Sequence, residues 1–292
     1  MASTRTKKSA AMETYVACGS VKAGASAAAI ASAYKIEVRF VGGLNTAQKN
    51  AFKTAAKRWT KVIVGDVPSV MVSGEVIDDL LIMAQGVDID GPGKILGQAG
   101  PTHLRPASAG ENAFLPAKGL MSFDTADLAQ MQADGTLVDV ITHEMGHVIG
   151  IGTIWTNKRV LTGADTNDPR FIGAAAKKEY GVLTGGAAAP VPVENTGGAG
   201  TRNGHWRETV FVNELMSGFI AEADNPLSRL TVASLQDLGY VVDLAASEPY
   251  ALPNLRAMAE AGVLSARREA AHHHALPIFA PRVLSDDSMV KR

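Results

Sequence analysis

Between residues 34 and 41 apolar and polar side chains alternate, with Ile36, Val38 and Phe40 on one side and Lys35, Glu37 and Arg39 on the other. A period of two puts each set on its own face of a pleated strand, so the stretch predicts a half-buried β-strand. The period then lengthens. From Asn45 or Thr46 to about Val64, the apolar positions Ala51, Phe52, Ala55, Ala56, Trp59, Val62 and Ile63 follow one helix face, with Gly65 as the expected stop. Apolar runs at residues 80–84, 95–99 and 119–123 predict further strands, the second ending before Pro101. Asp124 or Thr125 opens a short helix, and a strongly apolar helix follows from Leu137, with Thr136 and Asp139 placed as a capping box. The last clear element is a helix over residues 231–238, stopped by Gly239.

Within the apolar helix, residues 143 to 147 read His-Glu-Met-Gly-His. Positions four apart share a helix face, so His143 and His147 can present two imidazole nitrogens to one metal ion. Glu144 stands about 100° round the helix, where a carboxylate can take a proton from an activated water without becoming a ligand. Two nitrogen ligands with a neighbouring base point to zinc-dependent hydrolysis. The alternative is an amphipathic helix with two satisfied surface histidines. Leu137, Val138, Val140, Ile141, Val148 and Ile149 argue against it, because they make the helix apolar on nearly all sides. A buried helix seldom carries such polar groups unless they are paired or bound. Catalytic zinc usually has three protein ligands and one open position. Gly150 lies three residues after His147, and a glycine there can take positive φ, end the helix and turn the chain back under the metal. This spacing resembles the metzincin arrangement, which expects a histidine at position 153, where Thr153 stands.

The other histidines are His103, His205 and the run His272, His273, His274. Gly204-His205-Trp206-Arg207-Glu208 runs on to Asn213-Glu214-Leu215-Met216-Ser217-Gly218, a histidine followed by a methionine in a glycine-containing turn. That pairing resembles the third ligand and Met-turn of metzincins. The chain thereby resembles leishmanolysin-type zinc peptidases, whose third histidine is displaced by an insertion after the helix glycine. Here the intervening segment is rich in Gly, Ala and Pro. The likeness covers roughly residues 34–250 and is concentrated in residues 136–155 and 204–240. It implies His143, His147 and His205 as ligands of one catalytic Zn2+, Glu144 as general base and Met216 as the residue beneath the metal. It also implies an α+β, metzincin-like zincin fold. A twisted mixed sheet would lie over the active-site helix in residues 34–152. A mostly irregular C-terminal subdomain, 153–250, would carry the 231–238 helix under the Met-turn. An edge strand around residues 95–100 would face the cleft and take an extended peptide by strand addition. Two departures stand out. Eukaryotic relatives are cysteine-rich while this chain has only Cys18, so the match is to shorter, bacterial-looking relatives. Some metzincins place an oxyanion-stabilising tyrosine two residues after the turn methionine, and Gly218 stands there.

The 292 residues suffice for one large domain or two small ones. With 28 basic and 29 acidic side chains and a formal charge of −1, the chain has no electrostatic footprint for nucleic acid. One cysteine rules out an intrachain disulfide framework. No apolar run of about 18 residues offers a membrane span. Residues 1–33, rich in small side chains, read as a weakly structured or pro-like segment. Arg5, Lys7 and Lys8 are not followed by the apolar core of a signal peptide, which counts against the secreted location the resemblance implies. Residues 251–292 read as a polar tail.

Cys18 precedes the core, as would a propeptide thiolate that occupies the open zinc position and keeps the protein latent; an inert or buried cysteine is the competing reading. Asp88 with Asp90, and Asp165 with Asn167 and Asp168, offer oxygens for Ca2+, but neither completes a calcium loop and solvated turns describe them better. The expected function is a zinc endopeptidase acting on peptides or proteins. One rival is a gluzincin-type peptidase with Glu179, Glu194 or Glu214 as third ligand, against which Gly150 and Met216 speak. The other is a non-catalytic adhesion or binding protein stabilised by zinc, against which Glu144 and the open fourth position speak.

Overall fold

The computed structural model describes residues 12–19, 33–89, 91, 97–220, 223–254 and 280–290. Its first two strands, β1 (Glu13–Cys18) and β2 (Lys35–Gly42), pair antiparallel. β2 is the alternating stretch, and it buries Ile36, Val38 and Phe40 as a period of two requires. β1 corrects the reading of a weakly structured N-terminal segment over residues 13–18. There Tyr15 and Ala17 pack on the core while Thr14 and Val16 face outward, and Glu13 pairs with Lys49 and Lys53. Residues 1–11 and 20–32 lie outside the described residues.

α1 (Thr46–Val62) opens with a capping box in which Asn45 Oδ1 accepts the Gln48 N–H at 2.9 Å and Gln48 Oε1 accepts the Asn45 N–H at 2.8 Å. Its apolar stripe is buried. The helix ends earlier than expected and for another reason. Ile63 is already extended, and the N–H groups of Val64 and Gly65 bond to Val241 O at 2.9 and 3.2 Å, so pairing with a distant segment stops it.

β3 (Val70–Val72) and β4 (Glu75–Ile77) form a hairpin, followed by β5 (Leu80–Val87), β6 (Gly97–Leu104) and β7 (Pro116–Asp124). The main sheet runs β1-β2-β5-β7-β6, with β2, β5 and β7 parallel and β6 antiparallel to β7. Both faces of β5 are covered. Leu80, Ile82 and Ala84 face the main core, while Leu81 packs with Val70, Val72, Ile77 and Ala117, which accounts for the unbroken apolar run. β6 continues past Pro101 to Leu104, with a register shift around His103.

α2 (Thr125–Asp134) is capped by Asp124, whose carboxylate accepts the Ala126 N–H at 2.8 Å. α3 (Leu137–Ile149) follows and packs against α1, β6 and β7. The expected capping box at its start does not form. Thr136 is itself helical, and the Asp139 carboxylate is occupied by Arg58 Nη1 at 2.7 Å and by Asn225 N at 2.9 Å. Arg58 also bonds Glu248 at 2.8 Å, so one guanidinium ties α1, α3 and the C-terminal region together.

Beyond residue 150 loops dominate, around a small sheet of β8 (Leu161–Thr162), β9 (Arg170–Phe171) and β10 (Val191–Pro192). Among the described residues three α-helices interrupt them: α4 (Ala174–Thr184), the single turn α5 (Glu208–Phe211) and α6 (Arg229–Leu238). α6 is the expected helix, capped by Ser228 and stopped by left-handed Gly239. α4 lacks a local capping signal, because Asp237 of α6 accepts its Ala175 and Ala176 N–H groups, each at 2.9 Å. The expected polar tail returns to the sheet: β11 (Arg282–Val283) lies parallel beside His103 and Leu104 of β6. Residues 255–279, including the three consecutive histidines, lie outside the described residues. Among the described residues no helix is long and apolar enough to cross a membrane. A mixed sheet over α3 and a loop-rich second half make the α+β arrangement that the resemblance implied.

One buried carboxyl at the start of β5 makes stability depend on pH. Asp79 accepts the N–H groups of Lys35 at 2.8 Å and Val67 at 2.9 Å, and burial pushes it from 3.8 up to about 7, with Asp78 and Asp66 adding repulsion. A raised carboxyl favours its protonated form in the folded chain. Its stabilising contribution is therefore complete below about pH 4 and is lost as pH rises through about 7. The Tm of the protein relative to that of Asp79→Asn should fall between about pH 4 and about pH 7. A difference that stays constant across this window would contradict the assignment.

Candidate metal centre

Every residue of α3 from Val140 to Ile149 is buried, His143, Glu144 and His147 included. Polar groups in such a place need partners. His143 Nδ1 donates to Leu215 O at 2.7 Å, His147 Nδ1 to Ile151 O at 2.9 Å, and buried His205 Nδ1 to Thr201 O at 2.8 Å. Carbonyl oxygens only accept, so each Nδ1 carries the hydrogen and each Nε2 keeps its lone pair. The three Nε2 atoms converge, at separations of 3.1, 3.0 and 2.9 Å. Lone pairs so arranged repel unless a cation lies among them. Zinc bonds of about 2.0–2.1 Å in a tetrahedron set ligand nitrogens about 3.3 Å apart, a few tenths wider than this triangle. His143, His147 and His205 therefore form a group that could hold a metal ion.

Local structure explains each placement. Gly150 at φ +122° ends α3, and its N–H and that of Ile151 turn back onto Gly146 O at 3.1 and 3.0 Å. That turn is what brings Ile151 O under His147, and only glycine adopts it without strain. Thr153, standing where a compact motif would have its third histidine, instead donates its hydroxyl to His147 O at 2.7 Å. His205 is delivered by a loop whose Glu194 N–H bonds His205 O at 2.9 Å. Trp206 behind it stacks on Trp155 at 5.0 Å and bonds through its N–H to Met216 O at 2.9 Å. Tyr240, whose hydroxyl donates to Ile149 O at 2.8 Å, also holds the C-terminal end of α3.

Met216 packs under α3 at Gly146. A Cβ there would stand 2.8 Å from Met216 Sδ and 2.9 Å from Trp59 Cζ2. Gly146→Val should therefore lower the Tm of the metal-free protein, by the equivalent of about 1–3 kcal/mol, through overpacking of α3 against Met216 and Trp59. An unchanged melt would show that the Met216 contact is not tight.

The remaining candidates lie elsewhere. Glu179 pairs with Arg229 at 2.8 Å. Glu194 accepts from Asn195 N, Thr196 N and Glu208 N at 2.9, 2.9 and 2.7 Å. Glu214 accepts from Met216 N at 2.6 Å, and burial pushes its carboxyl up against the donors Ser228, Thr231 and Met216. These glutamates are thus turned to other partners than the histidines. Cys18 is exposed on β1 and is not brought to the histidine group. Asp168 is paired with Arg170 and Arg207, both at 2.9 Å, in the turn that also holds Asp165 and Asn167. Asp88 is described, whereas Asp90 lies outside the described residues. A second acidic group, Asp66, Asp78 and Asp79, meets protein donors at Lys35, Ser69 and Val67. Sequence patterns did not single out Arg58 or Tyr240 and offered Asp139 only as a helix cap, because their partners lie far along the chain.

Comparison with known proteins bears on the same region. The family model described as Leishmanolysin matches residues 110–254. A "Leishmanolysin homolog" of Crithidia fasciculata is 31% identical over 137 residues, covering 43% of this chain and 20% of that protein. "Leishmanolysin" of Leishmania donovani is 29% identical over 145 residues, covering 46% of this chain and 24% of that protein. The chain thus spans a fifth to a quarter of the length of these curated relatives. The matched segment contains α3, His205 and Met216.

Proposed function

This chain is a leishmanolysin-like protein, and from that premise we propose that it is a zinc-dependent endopeptidase acting on peptides or proteins. The observation that carries the reading is the convergence of three Nε2 lone pairs, each fixed by an Nδ1–H bond to a carbonyl, beside a buried glutamate on the same helix. Zinc held by His143, His147 and His205 would supply Lewis acidity toward the scissile carbonyl and toward water. Glu144, next to His143, takes the proton from the attacking water and hands it to the leaving amine. The three carbonyls at Leu215, Ile151 and Thr201 keep the imidazoles oriented. Met216 supports the helix from below.

An extended substrate would lie along β6, on the side away from β7. Among the described residues β11 covers that side only at His103 and Leu104, which leaves 97–102 to pair with a peptide. Digestion of a mixed peptide library by zinc-loaded protein tests the reading. Internal cleavage that a chelator stops and added zinc restores is the expected result. Intact peptides, with zinc bound, would favour a zinc-stabilised binding protein.

A further inference from the structure

Glu214 is a fully buried carboxylate inside the turn that carries Met216. Its Oε2 accepts the Met216 N–H at 2.6 Å. Its Oε1 accepts the Ser228 N–H at 3.2 Å, the Ser228 hydroxyl at 2.6 Å and the Thr231 hydroxyl at 2.5 Å. The direction of each bond is fixed by the next one. Ser228 Oγ accepts the Thr231 N–H at 3.3 Å, and Thr231 Oγ1 accepts the Trp206 Nε1–H at 2.8 Å, so both hydroxyls are left to give their own hydrogens to Glu214. Four donated hydrogens converge on two oxygens, and the carboxyl needs no proton of its own to satisfy them. Hydrogen bonds to a charged acceptor are the strong kind.

The peptide unit that donates to Glu214 through Met216 N is the one whose carbonyl, Leu215 O, accepts the Nδ1–H of His143 at 2.7 Å. A charged acceptor on the N–H side of a peptide draws electron density toward the carbonyl oxygen and strengthens it as an acceptor. The second branch of the network reaches Trp206, the residue after His205, whose N–H bonds Met216 O at 2.9 Å. We propose that Glu214 is the positioning residue of the metal centre. Through the Leu215–Met216 peptide it orients and polarises His143, and through Thr231 and Trp206 it holds His205 against the Met216 turn. Ligand histidines commonly give Nδ1–H to a carboxylate or a carbonyl; here a carboxylate acts on the histidine through the carbonyl's own peptide. The inference rests on the zinc site proposed above.

Zinc dissociation constants from chelator competition, for the unmodified protein, Glu214→Gln and Thr231→Val, test it. Melts of the metal-free proteins and absorption spectra of their cobalt(II)-loaded forms accompany them. Glu214→Gln should weaken zinc binding by about 10–100-fold and move the cobalt ligand-field bands. Thr231→Val, which cuts the branch to Trp206, should weaken it by about two- to tenfold. A lowered melt with unchanged zinc affinity and an unchanged cobalt spectrum would make Glu214 a folding residue only and overturn the proposal. Should Glu214→Gln fail to fold, Thr231→Val decides on the same readouts, and wild-type affinity in that variant overturns the proposal. Wild-type protein that binds no zinc would overturn the site itself, and this inference with it.

Discussion

Glu144→Ala should lose about 10²–10⁴-fold in kcat/KM on any cleaved peptide while still holding one zinc, the loss expected when a positioned general base is removed. The expectation follows from where Glu144 sits. It is buried on α3 one residue after His143, about 100° round the helix from the ligand face. A carboxylate there would lie beside the three imidazoles that would hold zinc, without being one of the ligands. Steady-state cleavage with zinc content measured on the same samples separates the two roles. Most activity surviving in Glu144→Ala would remove Glu144 from the mechanism, and zinc lost with the activity would make it a ligand instead of a base.

His205→Ala is expected to have the largest effect on metal binding. It removes one of three imidazoles whose Nε2 atoms lie 2.9–3.1 Å apart, leaving only the helix pair. The fall in zinc affinity should exceed the roughly 100-fold that changes around a ligand produce, and cleavage should fall with it. Chelator competition measures this directly. Zinc affinity equal to that of the unmodified protein would point to a glutamate as third ligand. Glu179, Glu194 and Glu214 would each have to leave the partners they now have.

How far the sequence reached was decided by the distance between partners. β2 and α1 were legible because a period of two and a period near 3.6 each persisted for several turns of the pattern. His143, Glu144 and His147 were legible because a helix makes residues four apart neighbours. His205 and Met216 obey no spacing rule from His147, and only the resemblance to leishmanolysin-type peptidases pointed to them. β1 escaped because six residues of mixed character outside any longer pattern carry little signal, and its stability comes from pairing with β2. α4 escaped because its cap, Asp237, is 61 and 62 residues away. The capping box at Thr136 and Asp139 was a sound local expectation that tertiary contacts overrode, since Arg58 and Asn225 hold Asp139 more firmly than the helix start does. Glu214 was seen in the sequence only as a possible ligand. Its bracing role depends on Ser228 and Thr231, 14 and 17 residues further on.

X-ray absorption at the zinc edge, on protein loaded with one zinc per chain, tests the central claim most directly. The account predicts three imidazole nitrogens and one further light ligand at about 2.0–2.1 Å, reduced to two imidazoles in His205→Ala. Two imidazoles with a carboxylate in the unmodified protein, or four protein ligands with no exchangeable position, would contradict it.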